Sequence, residues 1–288
     1  MTYATPSSPS SSLSPAPLSP APLSPASVSL AGIGTDVSVM IVRGMRRSLR
    51  DPEAFITALM LPVILMLLFV YVFGGAFAAQ GGGRYAQYVV PGLIVLCAGQ
   101  GAGTTAVAIA TDMSSGIVDR FRSMPIASSS VLAGHIVASL ARNLLATALV
   151  IGVGLAVGWR PSASPAQWVA AVGMIVLFIV AMSWLATAVG LLAGSPEAAN
   201  SASFAIWFLP YLSTAFVPAG TMTKVLRPIA ANQPFTPIIE TLRGLWMGHT
   251  STGASTGHEA LLAVVYCVAI AVLSGAGASY LFRHRAAA

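Results

Sequence analysis

Charge is what this sequence has least of. Only 8% of its 288 residues are Asp, Glu, Lys or Arg, while 56% are hydrophobic and the mean hydropathy is +0.82. Soluble domains carry about a quarter charged residues, so a soluble globular chain is excluded and a membrane protein remains. Cysteine is nearly absent too. Cys97 and Cys267 lie deep in apolar runs without His or acidic neighbours, which excludes a disulfide framework and gives no metal site. Residues 1–35 contain no basic residue, so they lack the charged start of a secretory signal. They are rich in Ser and Pro instead, with LSPAP at 13–17 and 18–22 followed by LSPAS at 23–27. Proline every two or three residues forbids a helix, and a disordered tail over 1–35 is expected. The net charge is +6 with a pI near 9.8, but the arginines cluster at the ends of apolar runs. That placement suits membrane orientation and implies no nucleic acid.

What the chain does have is long apolar runs. A hydrocarbon core about 30 Å thick requires about 20 apolar residues as helix, because every backbone polar group must be satisfied within the segment. Six stretches are read as spans: 55–75, 89–110, 131–157, 168–193, 201–217 and 260–282. The third carries His135 and Arg142 on one face, so its membrane part is expected to begin near Asn143, with Arg142 either reaching back to the cytoplasmic edge or facing protein or water in a cytoplasmic vestibule. The fifth is short and interrupted by Pro210. Six crossings put both termini on one side. With cytoplasmic termini that side holds eight arginines, 43, 46, 47, 50, 120, 122, 283 and 285, against Arg84, Arg160, Lys224, Arg227 and Arg243 outside. No acidic residue falls mid-span in this layout, which argues against the rival class, an ion-coupled secondary transporter.

Two polar stretches stand out on the cytoplasmic side. Arg43, Arg46, Arg47 and Arg50 repeat at helical spacing beside Val42, Met45 and Leu49, which predicts an interfacial helix ended by Asp51-Pro52. Between spans two and three, Asp112 or Ser114 can cap a short helix that Pro125 ends. Its Ile117, Val118, Phe121 and Met124 share one face and Ser115, Asp119 and Arg122 another. Periodicity alone suits docking onto a cytoplasmic partner and resting on lipid equally well.

The segment SGIVDRFRSMPIASSSVLAGHIVASLARNLL at 115–145 resembles the corresponding part of ABC-2 type transport permeases, in particular the daunorubicin-resistance-like branch of drug and lipid exporters. NQPFTPIIETLRGLWMG at 232–248 is similar to that family's segment before the last span, and YVVPGLIVL at 88–96 to its start of span two. The resemblance implies an all-α membrane protein of the type V exporter kind, with six transmembrane helices and a re-entrant hairpin on the extracellular side. It further implies a coupling helix that contacts a separate ABC ATPase subunit through Ser115, Gly116, Asp119, Arg120, Phe121, Arg122 and Pro125. Pro237, Glu240 and Arg243 fall in the implied extracellular gate, where spacing alone gives a local i, i+3 ion pair. ATP and Mg are expected on that partner and not on this chain. A phosphate-binding loop needs G-x-x-x-x-G-K-[ST], and the single lysine, Lys224, follows Thr221-Met222-Thr223 without those glycines. LSGAG at 273–277 only echoes an ABC ATPase signature; inside an apolar run it serves helix packing.

The reading is a permease subunit of an exporter in a bacterial cell membrane, paired with a second permease chain and moving a hydrophobic or amphipathic molecule outward. Its orientation is directly testable. A cysteine placed at Ser123 is expected to react with a membrane-impermeant maleimide only in inside-out vesicles; labelling from the outside alone reverses the topology.

Overall fold

Each of two long apolar runs is announced by a Ser-Pro pair, and the pair explains where the helix starts. Ser164 caps the helix beginning at Pro165: its hydroxyl accepts from the Gln167 N–H at 3.4 Å while its own N–H donates to the Gln167 side chain at 2.7 Å. Ser195 does the same for the helix beginning at Pro196, accepting from Ala198 N–H at 3.2 Å. A computed structural model describes residues 52–75, 85–114 and 128–285, with side chains described over 59–75, 85–114 and 136–281.

Among the described residues the chain is helical, without strands. The helices are α1 (Pro52–Leu67), which runs on as a π-helix over Leu68–Phe73, α2 (Tyr85–Ser114), α3 (Ser128–Ala156) and α4 (Pro165–Leu192). They continue as α5 (Pro196–Phe208), a short 3-10 turn at Leu209–Leu212, α6 (Leu226–Asn232), α7 (Phe235–Met247) and α8 (Thr256–Arg285). Four described helices are long and apolar enough to cross a membrane, over Tyr85–Ser114, Ile136–Ala156, Pro165–Leu192 and Thr256–Leu281. They match four of the six expected spans. The first expected span is present as a shorter apolar stretch, Leu59–Phe73.

The fifth expected span, 201–217, is not one continuous helix. Pro210 has no N–H and its ring crowds the preceding turn, so α5 gives way at Phe208 to the 3-10 turn and then to a buried non-helical turn at 213–216. One smaller expectation also changes. α2 runs on through Ser114, so Asp112 lies inside that helix and does not cap a new one; the Ser114 hydroxyl donates to the Thr111 carbonyl at 3.0 Å. The apolar stretch Ile136–Ala156 of α3 includes Arg142.

Burial ranks the helices. In the apolar window of α2, 67% of residues are buried inside the protein, against 50% for α4, 28% for α3 and 11% for α8. α2 and α4 therefore form the core, packed on each other, with α1, α3 and α5 against α2 and with α8 along α4. α7 is wedged among α2, α4 and α8, and eleven of its thirteen residues are buried. Without a hydrophobic drive between helices in lipid, close approach at small residues holds such a bundle. Gly190 shows it: a Cβ there would come within 2.5 Å of the Ala106 carbonyl oxygen and 3.0 Å of Ile109 Cβ.

Gly190→Val is expected to push α4 off α2 and lower stability by about 1–3 kcal/mol, the usual cost of overpacking. Thermal unfolding in detergent checks it. Gly152→Val is the control, because nothing lies within 4 Å of a Cβ there.

Candidate functional site

The turn at 213–216 creates a physical problem that the surrounding side chains solve. Ser213, Thr214, Ala215 and Phe216 are buried, and their carbonyls have left the helical ladder. Buried carbonyls need partners from the protein itself. At the start of α2, Tyr85 donates its hydroxyl to the Phe216 carbonyl and Tyr88 to the Thr214 carbonyl, both at 2.8 Å. One turn further along α2 stands Gly92, where a Cβ would come within 2.8 Å of the Cα, Cβ and carbonyl oxygen of Ala215. Only glycine lets the turn lie so close.

α7 supplies the rest. Its Arg243 Nη2 donates to the Thr214 carbonyl at 3.1 Å and to the Tyr88 carbonyl at 3.0 Å, and its guanidinium carbon lies 3.9 Å from the centre of the Tyr88 ring. Its Nη1 pairs with Glu240 and donates to the Ser251 hydroxyl at 3.1 Å. Glu240 also accepts from the Thr214 hydroxyl at 2.7 Å, the Ser251 N–H at 2.6 Å and the Ser251 hydroxyl at 2.5 Å. Both members of the pair are buried, at 0% and 1% exposure. Burial works to raise the Glu240 pKa, but the Arg243 charge and the bonds from Ser251 and Thr214 outweigh it and hold the carboxyl below its ordinary 4.5. Pro237 sits buried in the first turn of α7, where its missing N–H leaves no helical bond unmade.

Chemically this is a clasp and not a reactive centre. The carboxylate is saturated with donors, and the guanidinium holds two backbone carbonyls as well as its ionic partner. The i, i+3 pair expected from spacing is present, yet its reach is tertiary: it ties together α2, the 213–216 turn, α7 and the loop before α8. Tyr85, Tyr88, Thr214 and Ser251 were not anticipated from sequence. The three-residue spacing of the tyrosines, one helical turn, is the only local signal that they act together.

A second polar cluster joins α2, α3 and α4. The Ser139 hydroxyl is its hub, with Thr105 at 3.0 Å, Ser183 at 3.1 Å and the Asn143 amide at 3.2 Å. Beside it Arg142 donates to Thr104 at 3.1 Å and Thr105 at 3.5 Å. Arg142 thus faces protein, turned toward α2. The aromatic side chains of α5 and the turn after it pack on each other, with Phe204, Trp207, Phe208 and Tyr211 ring centres 5.2–6.2 Å apart between neighbours. Next to it, a cavity of about 230 Å³ opens between α2, α4 and α5. The residues assigned to the coupling helix, Ser115, Gly116, Asp119, Arg120, Phe121, Arg122 and Pro125, lie outside the described residues, as do Arg43, Arg46, Arg47 and Arg50.

Comparison with known proteins adds a separate line of information. Residues 35–247 match the ABC-2 type transporter family. A daunorubicin resistance ABC transporter permease protein of Streptomyces coeruleorubidus is 30% identical over 72% of this chain and 73% of its own length. A probable doxorubicin resistance ABC transporter permease protein of Mycobacterium tuberculosis is 25% identical over 72% of this chain and 75% of its own. The matched region takes in Tyr85, Tyr88, Thr214, Glu240 and Arg243 and stops where α7 ends.

Glu240→Gln is expected to leave Arg243 uncompensated and to lower stability by about 3–5 kcal/mol, read as thermal unfolding in detergent. Exchanging the two residues, Glu240→Arg with Arg243→Glu, restores net charge but is expected not to rescue, because a carboxylate at 243 faces the carbonyls of Tyr88 and Thr214. Full rescue by the exchange would reduce the clasp to a plain ion pair. With a folded pKa depressed below the unfolded one, the Glu240 contribution is complete above the ordinary carboxylate value and is lost as pH falls through the folded value.

Proposed function

Because the chain belongs to the ABC-2 type transporter family, and is a permease subunit of an ABC transporter and not an enzyme, we propose that it exports a hydrophobic or amphipathic molecule, drug-like or lipid, out of a bacterial cell. It does so as one of two membrane subunits served by two separate ATPase subunits on the cytoplasmic face, where ATP and Mg bind. The second permease is another copy or a related chain. The observation that carries this reading is the family match across residues 35–247, on a sequence whose only lysine has no phosphate-binding frame.

In this reading the chain crosses the plasma membrane six times with both termini inside, and the fifth pass is α5 with the turn that follows it. α6 and α7 form a re-entrant pair at the extracellular side, with Pro237, Glu240 and Arg243 in the gate. The buried clasp supports that role, since it fixes the short α7 against α2 without needing α7 to span. The segment around Phe121 is the coupling helix. Phe121 fills a pocket of the ATPase, and Asp119, Arg120 and Arg122 set its register by charge. Ion-coupled transport is disfavoured by the state of the buried acid: Glu240 is locked to Arg243 and held ionised, which leaves it unsuited to carrying a proton.

Co-expression with candidate ATPase subunits tests the assembly. Stable co-purification with one of them is expected, and failure to bind any removes the mechanism. Within an assembled transporter, Phe121→Ala together with Arg122→Glu is expected to cut transport and substrate-stimulated ATPase activity at least several-fold without affecting membrane insertion. Unchanged transport makes this segment a lipid-resting helix.

A further inference from the structure

Past the 213–216 turn the chain runs through Pro218 to α6, and there a cationic and apolar stretch is left uncovered. Every residue from 223 to 229 is exposed, with Val225, Leu226 and Ile229 at 75%, 44% and 51%. The helical turn opens at Thr223, whose carbonyl accepts from the N–H of Leu226 at 3.1 Å and of Arg227 at 3.0 Å. Val225 already has helical backbone angles, φ −79° and ψ −42°. Helical spacing therefore applies from Lys224 onward. Lys224 and Arg227 stand three apart on one side, and Val225 and Ile229 four apart on another.

Among the described residues neither Lys224 nor Arg227 forms an ion pair. The acids on this side of the bundle are already committed: Glu240 to Arg243, Thr214 and Ser251, and Glu259 to the Thr252 hydroxyl at 2.6 Å. The level of the stretch follows from its far end. The Asn232 carbonyl, the last of α6, lies 3.5 Å from the Tyr266 hydroxyl, ten residues beyond Thr256 and so roughly 15 Å along α8. Next along the chain, the Phe235 ring meets Phe178 of α4 at 5.8 Å between centres. α6 thus stands beside the spanning helices and not beyond their ends. Hydrocarbon at that level penalises two bare cations, and water penalises three bare apolar side chains. The boundary between acyl chains and head groups suits both, with the apolar side chains inward and the charged tips reaching the phosphates.

We propose that residues 223–229 dock an anionic phospholipid from the surrounding leaflet. Lys224 and Arg227 hold its phosphate, and Val225, Leu226 and Ile229 lie against its first acyl carbons. Charge selects the class of lipid. Two uncompensated cations, with each nearby carboxylate already engaged, leave a local positive excess that an anionic head group reduces and a zwitterionic one does not. α6 also packs on the 209–212 turn, where Leu209 and Leu212 are 40% and 49% exposed, so the apolar strip continues past the segment. Lipid docking here does not require export, and ATPase-driven transport assigns these side chains no role.

The test uses the full-length chain with Thr223→Cys carrying a nitrobenzoxadiazole fluorophore, in phosphatidylcholine nanodiscs doped with brominated phosphatidylglycerol or brominated phosphatidylcholine. Cys97 and Cys267 are buried and stay unlabelled. Contact quenching by the brominated phosphatidylglycerol is expected at about fivefold lower mole fraction, the factor that one basic side chain near an anionic surface supplies. Lys224→Gln with Arg227→Gln removes that advantage and leaves thermal unfolding unchanged, since both side chains are exposed. Val225→Ser with Ile229→Ser weakens quenching by both lipids. Equal quenching by the two lipids overturns the proposal, as does a preference that survives the double glutamine variant. Quenching by neither means that water or a second copy of the chain covers the segment, and overturns it too.

Discussion

Buried backbone that has left a helix must find hydrogen-bond partners without water, and the arrangement around Arg243 follows from that requirement. Once Pro210 breaks α5, the carbonyls of Thr214 and Phe216 face the interior of an apolar bundle. Two tyrosines on α2 and one guanidinium on α7 meet them. The guanidinium then needs an anion, and Glu240 supplies it one turn earlier on the same helix. Glu240 in turn saturates its oxygens with Thr214 and Ser251. Each step creates the demand that the next one answers, and the chain of demands closes on itself. Removing any one member exposes the others, which is why a buried pair of modest net value becomes costly to break.

Around that clasp the bundle is held by contacts of a different kind. α2 and α4 approach at Gly190 and Ala106, and the hydroxyls of Thr105, Ser139 and Ser183 cross between α2, α3 and α4. At the other end, Trp159, Trp168 and Trp246 meet edge to face or tilted, with ring centres 5.1–6.3 Å apart. The Ser162 N–H donates to the Trp246 carbonyl at 2.9 Å, so the link between α3 and α4 is fastened to the end of α7. α7 is thus tied at its middle, by Glu240 and Arg243, and at its C-terminal end, by Trp246. A short helix that cannot span the membrane is fixed by its neighbours at every turn.

Much of the architecture was legible because membrane helices announce themselves by length and apolarity. Four spans were found with boundaries shifted by a few residues, and the break at Pro210 was visible as an interruption. Its consequence was not visible, because a proline says where a helix stops and nothing about where the freed carbonyls turn. The site was legible in part. Glu240 and Arg243 stand three apart, and a local pair could be read from that spacing. Tyr88 lies 155 residues from Arg243 in sequence, and no local pattern reports such a contact. For Arg142, spacing said that a charge within an apolar run must reach the membrane edge or face protein or water; that its partners are the threonines of α2 has no local signal.

Composition by itself determined the class of this protein. With so few charges, the chain is stable only where water is absent, and helices are the structures that satisfy its backbone there. The sequence also shows no phosphate-binding frame, since a motif set by local backbone geometry is either written in the residues or not; the family places ATP hydrolysis on a separate subunit. Tertiary structure alone decided what the polar minority does. Glu240 became a saturated counter-ion, and Arg142 became a donor to the threonines of α2. Both outcomes depend on which helices lie against each other, and hydrogen bonds between distant segments have no signature in the order of the residues.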